Sequence, residues 1–389
     1  VYGTRVSLHV GDPLTFKAPP YIAQLVVIGG DFAPRLADPQ LLQTAYQSVR
    51  PYGGTLWIAC ARTAQPGLLS QIQAAQLAQA RVTADDLSVR VMREGPLPGS
   101  ADWTHQYANI ANTVKSDDAI VRLPLGVLWF GGNASLDVLP RHGHGPSEQV
   151  IGGRLFIQGM NCLSARDVYT GRILWKVPIP DLGTEGIYYD DTYSDTPLST
   201  LYNQRHILGA NARGANQVVT AEAVYLAVSN VCRVFSTRTG ELLRVIEMPK
   251  LPGQAEAPQW GFIGVYQDIL LGGAGFANYS QRYRGTPAGG LPSLYDLSAS
   301  LGLVAFDRHT GEVLWKTDAH YSFLHSGIVA GNDRVYCLDR LPKSAESKLK
   351  RRGTESPKDY RVVAFDVRTG RQLWARQQPV FGSWLGYSV

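Results

Sequence analysis

One short pattern recurs along the later part of this chain: Ala-x-Asp-x-x-Thr-Gly-x-x-x-Trp. It reads Ala165, Asp167, Thr170, Gly171 and Trp175, then Ala305, Asp307, Thr310, Gly311 and Trp315, then Ala364, Asp366, Thr369, Gly370 and Trp374. A degenerate copy, Val234, Ser236, Thr239, Gly240 and Arg244, has arginine where tryptophan belongs. The copies stand about 60 to 70 residues apart, a spacing that marks a repeat architecture before any single strand is assigned.

The physics of the unit is local. Ala-x-Asp closes a strand. The aspartate bonds backbone N–H groups just after it, and Thr-Gly makes a tight turn with positive φ at the glycine. The chain then returns antiparallel and ends in tryptophan. Each copy follows another hairpin: "GGRLFIQG" (152–159), "TAEAVYLAV" (220–228), "YQDILLGG" (266–273) and "GNDRVYCLD" (331–339). Two hairpins make one four-stranded sheet, which buries its faces only by stacking on neighbours around an axis. The expected fold is therefore mainly β: about four blades of a β-propeller over residues 96–389. That the tryptophans, with Asp167, Asp307, Asp366, Gly171, Gly311 and Gly370, dock one blade on the next is what the family resemblance given below implies.

These motifs resemble the quinoprotein, or PQQ-like, β-propeller repeat family. Its members run from pyrroloquinoline-quinone (PQQ) dehydrogenases to non-enzymatic propellers of the BamB type. In that family the repeat's tryptophan docks on a neighbouring blade, and "ADWTHQYANIANT" (101–113) is similar to its opening segment. The resemblance covers roughly residues 100–389. It implies more blades than four, since the family usually has eight, so the rest lie elsewhere in a longer polypeptide or in a partner. It also implies a periplasmic or envelope location.

Residues 1–95 follow a different rhythm. "TRVSLHV" (4–10) alternates like a strand, and "IAQLVVIGG" (22–30) reads as a buried parallel strand. "DPQLLQTAYQSVR" (38–50) reads as a helix with Asp38 as N-cap, and "PYGG" breaks the chain. "TLWIACA" (55–61), "PGLLSQIQAAQLAQA" (66–80) and "LSVRVMREG" (87–95) then give strand, helix, strand. Such alternation implies a small Rossmann-like α/β subdomain. Asp12 and Arg50-Pro51-Tyr52-Gly53-Gly54 resemble places in the later half of class I S-adenosylmethionine methyltransferases. The Gly-rich loop that holds that cofactor would lie upstream of Val1.

Several side-chain groups are candidate sites, each with a plainer structural role beside it. His142 and His144 in "RHGHGP" share a face if extended and would hold a metal with a third ligand such as His105; alternatively they fix a loop. Asn211, Arg213 and Asn216 in "GANARGAN" would present two amides and a guanidinium to a carboxylate or phosphate, or tie down loop carbonyls. Asp190, Asp191 and Asp195 are oxygen donors suited to calcium, or a solvated loop. The basic stretch 342–358 reads as a mobile exposed loop, or a contact for an acidic partner. His320 and His325 flank Phe323 and read as satisfied core histidines.

Bulk properties narrow the function. A net charge of +5 without a concentrated basic stripe argues against a nucleic-acid partner. No apolar run is long enough for a membrane span. Cys60, Cys162, Cys232 and Cys337 fall in no metal or haem spacing and read as small hydrophobes. No adjacent cysteine pair of the PQQ-dehydrogenase kind is found. PQQ with calcium is implied by resemblance alone, and no catalytic residue is assigned. The leading expectation is a binding or scaffold module in a larger assembly, partnered by other chains or by the rest of a longer polypeptide. A quinone-dependent oxidoreductase and a methyltransferase completed from outside this chain are the alternatives.

Overall fold

The structure is a computed structural model. It describes residues 6–16, 18–130, 137–138, 147–159, 161–182, 216–250, 255–277, 298–377 and 382–388. Two compact units emerge: Val1–Ser100 with Asp118–Gly132 and Asp167–Arg172, and the remainder.

In the first unit the strands are β1 (Leu25–Ile28), β2 (Gly54–Ala59), β3 (Ala80–Ala84) and β4 (Ser88–Arg93). The helices are α1 (Pro39–Gln47) and α2 (Gln65–Ala74). The sheet order is β1-β2-β4-β3, with β1 parallel to β2 and β4 antiparallel to both neighbours. Asp38 caps α1 by accepting from the Gln40 N–H at 2.9 Å. Leu41, Leu42 and Tyr46 of α1 and Leu68 and Ile72 of α2 pack with Leu56, Ile58, Val89 and Val91 of the sheet. Arg93 is buried; its guanidinium donates to the Tyr46 carbonyl at 2.8 Å and lies over that ring. The Pro-Tyr-Gly-Gly break is a turn in which Tyr52 and Gly53 have φ of 58° and 98°.

The second unit is built from antiparallel strands. β5 (Gln149–Ile151), β6 (Arg154–Gly159), β7 (Cys162–Asp167) and β8 (Ile173–Pro178) form one four-stranded sheet. β9 (Gln217–Val219), β10 (Ala223–Val228), β11 (Val231–Ser236) and β12 (Leu242–Glu247) form another. The third and fourth blades are fused. β13 (Trp260–Tyr266), β14 (Ile269–Ala274), β15 (Ala299–Asp307), β16 (Val313–Gly331), β17 (Arg334–Asp339), β18 (Arg361–Asp366) and β19 (Gln372–Gln377) make one seven-stranded sheet in sequence order. β16 is 19 residues long. Its first part pairs with β15 as the outer strand of the third blade, and its end pairs with β17 as the inner strand of the fourth. The chain is thus mainly β, and this region is a segment of a β-propeller with about four blades. Apolar clusters fill the spaces between sheets: Tyr225, Cys232 and Ile246 of the second blade meet Trp260, Leu270 and Phe306 of the third.

Two local expectations need correction. Residues 7–10 lie outside any strand, with Val6, Leu8 and Val10 exposed; alternation alone makes no strand without a neighbour to pair with. The basic stretch 342–358 is not a bare loop but carries a third helix, α3 (Lys343–Arg351). Arg340 donates to Glu346 at 2.8 Å, Tyr360 donates to the same carboxylate at 2.7 Å, and Arg340 lies over the Tyr360 ring. That clamp fixes the helix on the blade. Among the described residues no helix is long and apolar enough to cross a membrane.

Candidate functional site

The repeat turns are near-identical. Asp307 Oδ1 accepts from the N–H groups of His309 and Thr310, both at 2.8 Å. Asp366 does the same with Arg368 and Thr369 at 3.1 and 2.9 Å, and Asp167 with Tyr169 and Thr170 at 2.9 and 3.1 Å. Ser236 Oγ substitutes in the degenerate copy, at 3.2 Å to both Arg238 and Thr239. At Asp307 and Asp366 these bonds favour the ionised carboxylate. The Thr310 N–H holds Asp307 below the usual carboxylate range, and the Thr369 hydroxyl does so for Asp366. Asp167 also pairs with the Arg50 guanidinium. The turn glycines, Gly171, Gly240, Gly311 and Gly370, have φ between 68° and 84°, where a side chain is strained.

Each tryptophan has a defined place. Trp175 Nε1–H donates to the Thr237 carbonyl at 3.0 Å, and its ring covers Gly240. Trp315 Nε1–H donates to the Val367 carbonyl at 2.8 Å, and its ring covers Gly370. Trp374 is half-buried, near the Tyr336 ring at 6.0 Å and under the Arg376 guanidinium. In the degenerate copy Arg244 reaches no such turn, and Ile246 lies closest to Gly311 instead, at 3.1 Å from where a Cβ would be. Sequence reasoning missed Trp129. Its Nε1–H donates to the Val168 carbonyl at 2.7 Å and its ring covers Gly171. The signal was present, since Val127-Leu128-Trp129 repeats the run Val313-Leu314-Trp315.

The segment resembling a family opening, 103–112, is the hub of the second unit. It bonds the blades one after another. Trp103 exchanges two backbone bonds with Val150 of β5, both 2.8 Å. The Thr104 carbonyl accepts from Val219 of β9 at 3.1 Å. His105 Nε2 accepts from the Val265 N–H of β13 at 3.0 Å. The Ile110 carbonyl accepts from Ala330 of β16 at 3.1 Å, and the Ala111 carbonyl from Tyr387 at 2.8 Å. Gly264 leaves room for the Ile110 side chain, which a Cβ would strike. Burial without a counter-charge pushes the His105 imidazole down to about 3, so it is neutral and an acceptor. Gln149 and Gln217 of β5 and β9 bond each other, with Gln158 donating to Gln217 at 3.1 Å.

The predicted ligand groups fare unevenly. His142, His144, Asn211, Arg213, Asp190, Asp191 and Asp195 lie outside the described residues. Asn216 is described, and both ends of its amide are used internally: Oδ1 accepts from Gln158 at 2.8 Å and Nδ2 donates to the Ala227 carbonyl at 3.3 Å. His105, suggested as a third metal ligand, spends Nε2 on Val265. His325 is buried with Nε2 at 2.8 Å from Ser300 Oγ, whereas His320 sits at the surface 3.6 Å from Asp359. Cys162, Cys232 and Cys337 are buried free thiols, and Cys60 is partly exposed. Among the described residues no group of three or more His, Cys, Asp or Glu gathers to hold a metal. The donor set described around the hub is amides bonded to one another and a neutral imidazole.

A family model described as outer membrane protein assembly factor BamB matches residues 278–383. No curated protein matches the chain. Among solved structures, BamB from Moraxella catarrhalis is similar at 14% identity and a TM-score of 0.32, over 62% of this chain and 52% of that one. Quinohemoprotein alcohol dehydrogenase from Comamonas testosteroni is similar at 14% identity and a TM-score of 0.45, over 73% and 42%. The corresponding enzyme ADHIIG from Pseudomonas putida HK5 gives 14% and 0.43, over 74% and 41%. The chain spans about half, or less, of the length of these structures.

Proposed function

We propose that this chain is a binding and scaffold module of a larger assembly, built on a PQQ-like propeller segment and residing in the periplasm or at the cell envelope. The observation that carries the reading is the hub. Residues 103–111 take up N–H groups from strands of successive blades, through backbone carbonyls and through His105 Nε2, so one short segment ties the blades together. A segment spent on holding blades together supports a structural rather than a catalytic role for it. The match of residues 278–383 to an assembly-factor family supports the same reading. The test is reconstitution beside interaction mapping. After incubation with PQQ and calcium, the purified protein should retain no quinone absorbance and should oxidise no alcohol with a dye acceptor. Crosslinking in its native envelope should join it to other chains. Dye-linked oxidation dependent on PQQ would overturn the proposal.

A second reading concerns the first unit. Its order β1-β2-β4-β3, with only β4 reversed, supports resemblance to the later half of class I methyltransferases. A crevice of about 550 Å³ lies beyond the C-terminal ends of β1 and β2, lined by Gly30, Ala59, Cys60 and Leu87. Ligands of parallel α/β sheets bind at such places. Asp12 is exposed, accepts from the Leu14 N–H at 2.9 Å and pairs with Arg35 at 3.3 Å. Equilibrium dialysis with labelled S-adenosylmethionine, on polypeptide that includes any coding sequence before Val1, tests this reading; no retention at millimolar ligand would end it.

A further inference from the structure

We infer that helix α3 is a docking face for an acidic segment of a partner protein, held by Lys343, Lys350 and Arg351. The inference rests on the scaffold reading and names the chemistry of one partner.

The whole-chain charge hides a local surplus. Residues 332–377, which include β17, α3, β18 and β19, hold twelve Lys and Arg against six Asp and Glu, a balance of +6. The chain stands at +5, so all its other residues together come to −1. Five of those twelve cations lie within the ten residues from Lys343 to Arg352, with Glu346 as the one acid among them.

The fold turns these cations outward. Ala345 is buried, and Leu349 follows it by one turn on the same side of the helix. Lys343, Lys350 and Arg351 share the opposite side at helical spacing; all three are exposed, as is Arg352. The Glu346 carboxylate is taken by Arg340 and Tyr360, and Glu355 pairs with Lys358. Among the described residues no carboxylate pairs with Lys343, Lys348, Lys350, Arg351 or Arg352.

Helix formation alone does not account for this pattern. A helix of nine residues is marginal by itself, and Lys348 lies one turn from both Arg351 and Arg352, where like charges repel. The helix dipole favours cations in the last turn, but Lys343 stands in the first, where it disfavours them. The clamp of Arg340 and Tyr360 on Glu346 keeps the cations in one preset face in spite of their repulsion.

The partner's chemistry follows from the composition of that face. The sequence of α3, KSAESKLKR, has no aromatic residue to stack a base and no Asn or Gln to read one. Its one large apolar residue, Leu349, lies on the docked side, so it offers a bilayer no anchor. What it presents is a row of ammonium and guanidinium groups about 14 Å long, matched to the carboxylates of about four residues of extended chain.

Fluorescence anisotropy with labelled oligoglutamate tests this on the purified 389-residue chain. The peptide should bind, and more weakly as salt is raised. Lys350→Glu with Arg351→Glu should weaken binding by at least about tenfold; Arg238→Glu with Lys250→Glu, at exposed cations flanking β12, should leave it within about twofold. Lys350→Gln with Arg351→Gln keeps helix-forming side chains and should weaken it by about threefold, which separates lost charge from an unwound helix. No binding overturns the inference, and so does an equal loss in the α3 and β12 variants. Tighter retention on phosphatidylglycerol vesicles or duplex DNA than on oligoglutamate, abolished by the same α3 substitutions, overturns it and assigns the face to lipid or nucleic acid. Crosslinks to other chains in the native envelope that persist unchanged in the α3 variants overturn the role of α3 while leaving the scaffold reading intact.

Discussion

Trp175 and Gly240 are a matched pair: the indole ring lies 2.7 Å from the point where a Cβ on Gly240 would stand, and its N–H reaches the Thr237 carbonyl. Gly240→Ala therefore meets both the ring and a φ of 75°. It should cost about 1–3 kcal/mol in chemical denaturation. Gly311→Ala shares a positive φ, 84°, but meets the Ile246 side chain at 3.1 Å instead of a ring, so its loss should be nearer about 1 kcal/mol. Equal losses at the two positions would show that the indole is not rigidly seated.

Ile246 fills the place vacated by the missing tryptophan of the degenerate repeat and is 3% exposed within a core cluster. Ile246→Ala should destabilise by about 2–4 kcal/mol, since two blades border the cavity it leaves. Leu242→Ala, on the same strand but half exposed, should change the denaturation midpoint little.

His105 gives stability a pH dependence. Its folded-state value, about 3, lies below the ordinary 6.5, so the unfolded chain takes the proton first. Its contribution is complete above about pH 6.5 and falls as pH drops toward 3, by up to about 1.4 kcal/mol per pH unit. Denaturation at pH 7 and pH 5 should show this loss, and His105→Gln should flatten it. A slope unchanged by that substitution would place the proton elsewhere.

Helix α3 is held by one carboxylate. Glu346→Gln keeps the shape of the side chain but removes the charge that Arg340 and Tyr360 address. Trypsin should then cut within Lys348–Arg352 several times faster, with a stability change of about 1 kcal/mol. Cleavage at the parent rate would mean that packing of Ala345 and Leu349 alone secures the helix.

What was legible in the sequence is what is local. The bonds of Asp307 and Asp366 span two or three residues, so turn chemistry alone announces each blade. Asp38 reads as a cap for the same reason. The hub was not legible as a hub, because Thr104, His105 and Ile110 find their partners in strands far along the chain. The sharing of β16 was equally hidden: His320 to His325 read as a core segment, with no turn residue to show that one strand passes between blades. The helix in 342–358 escaped because contacts from Arg340 and Tyr360, on either side of it, hold it in place.

The uninterrupted course of β16 divides the array mechanically. From β13 to β19 each strand is bonded to the next, so the last two blades cannot hinge or slide apart without tearing a single strand in its middle. The earlier sheets, β5–β8 and β9–β12, meet their neighbours through side chains and a few tethers, and their seams are free to give. Under load the molecule would flex first at those seams, with the fused pair acting as a stiff plate.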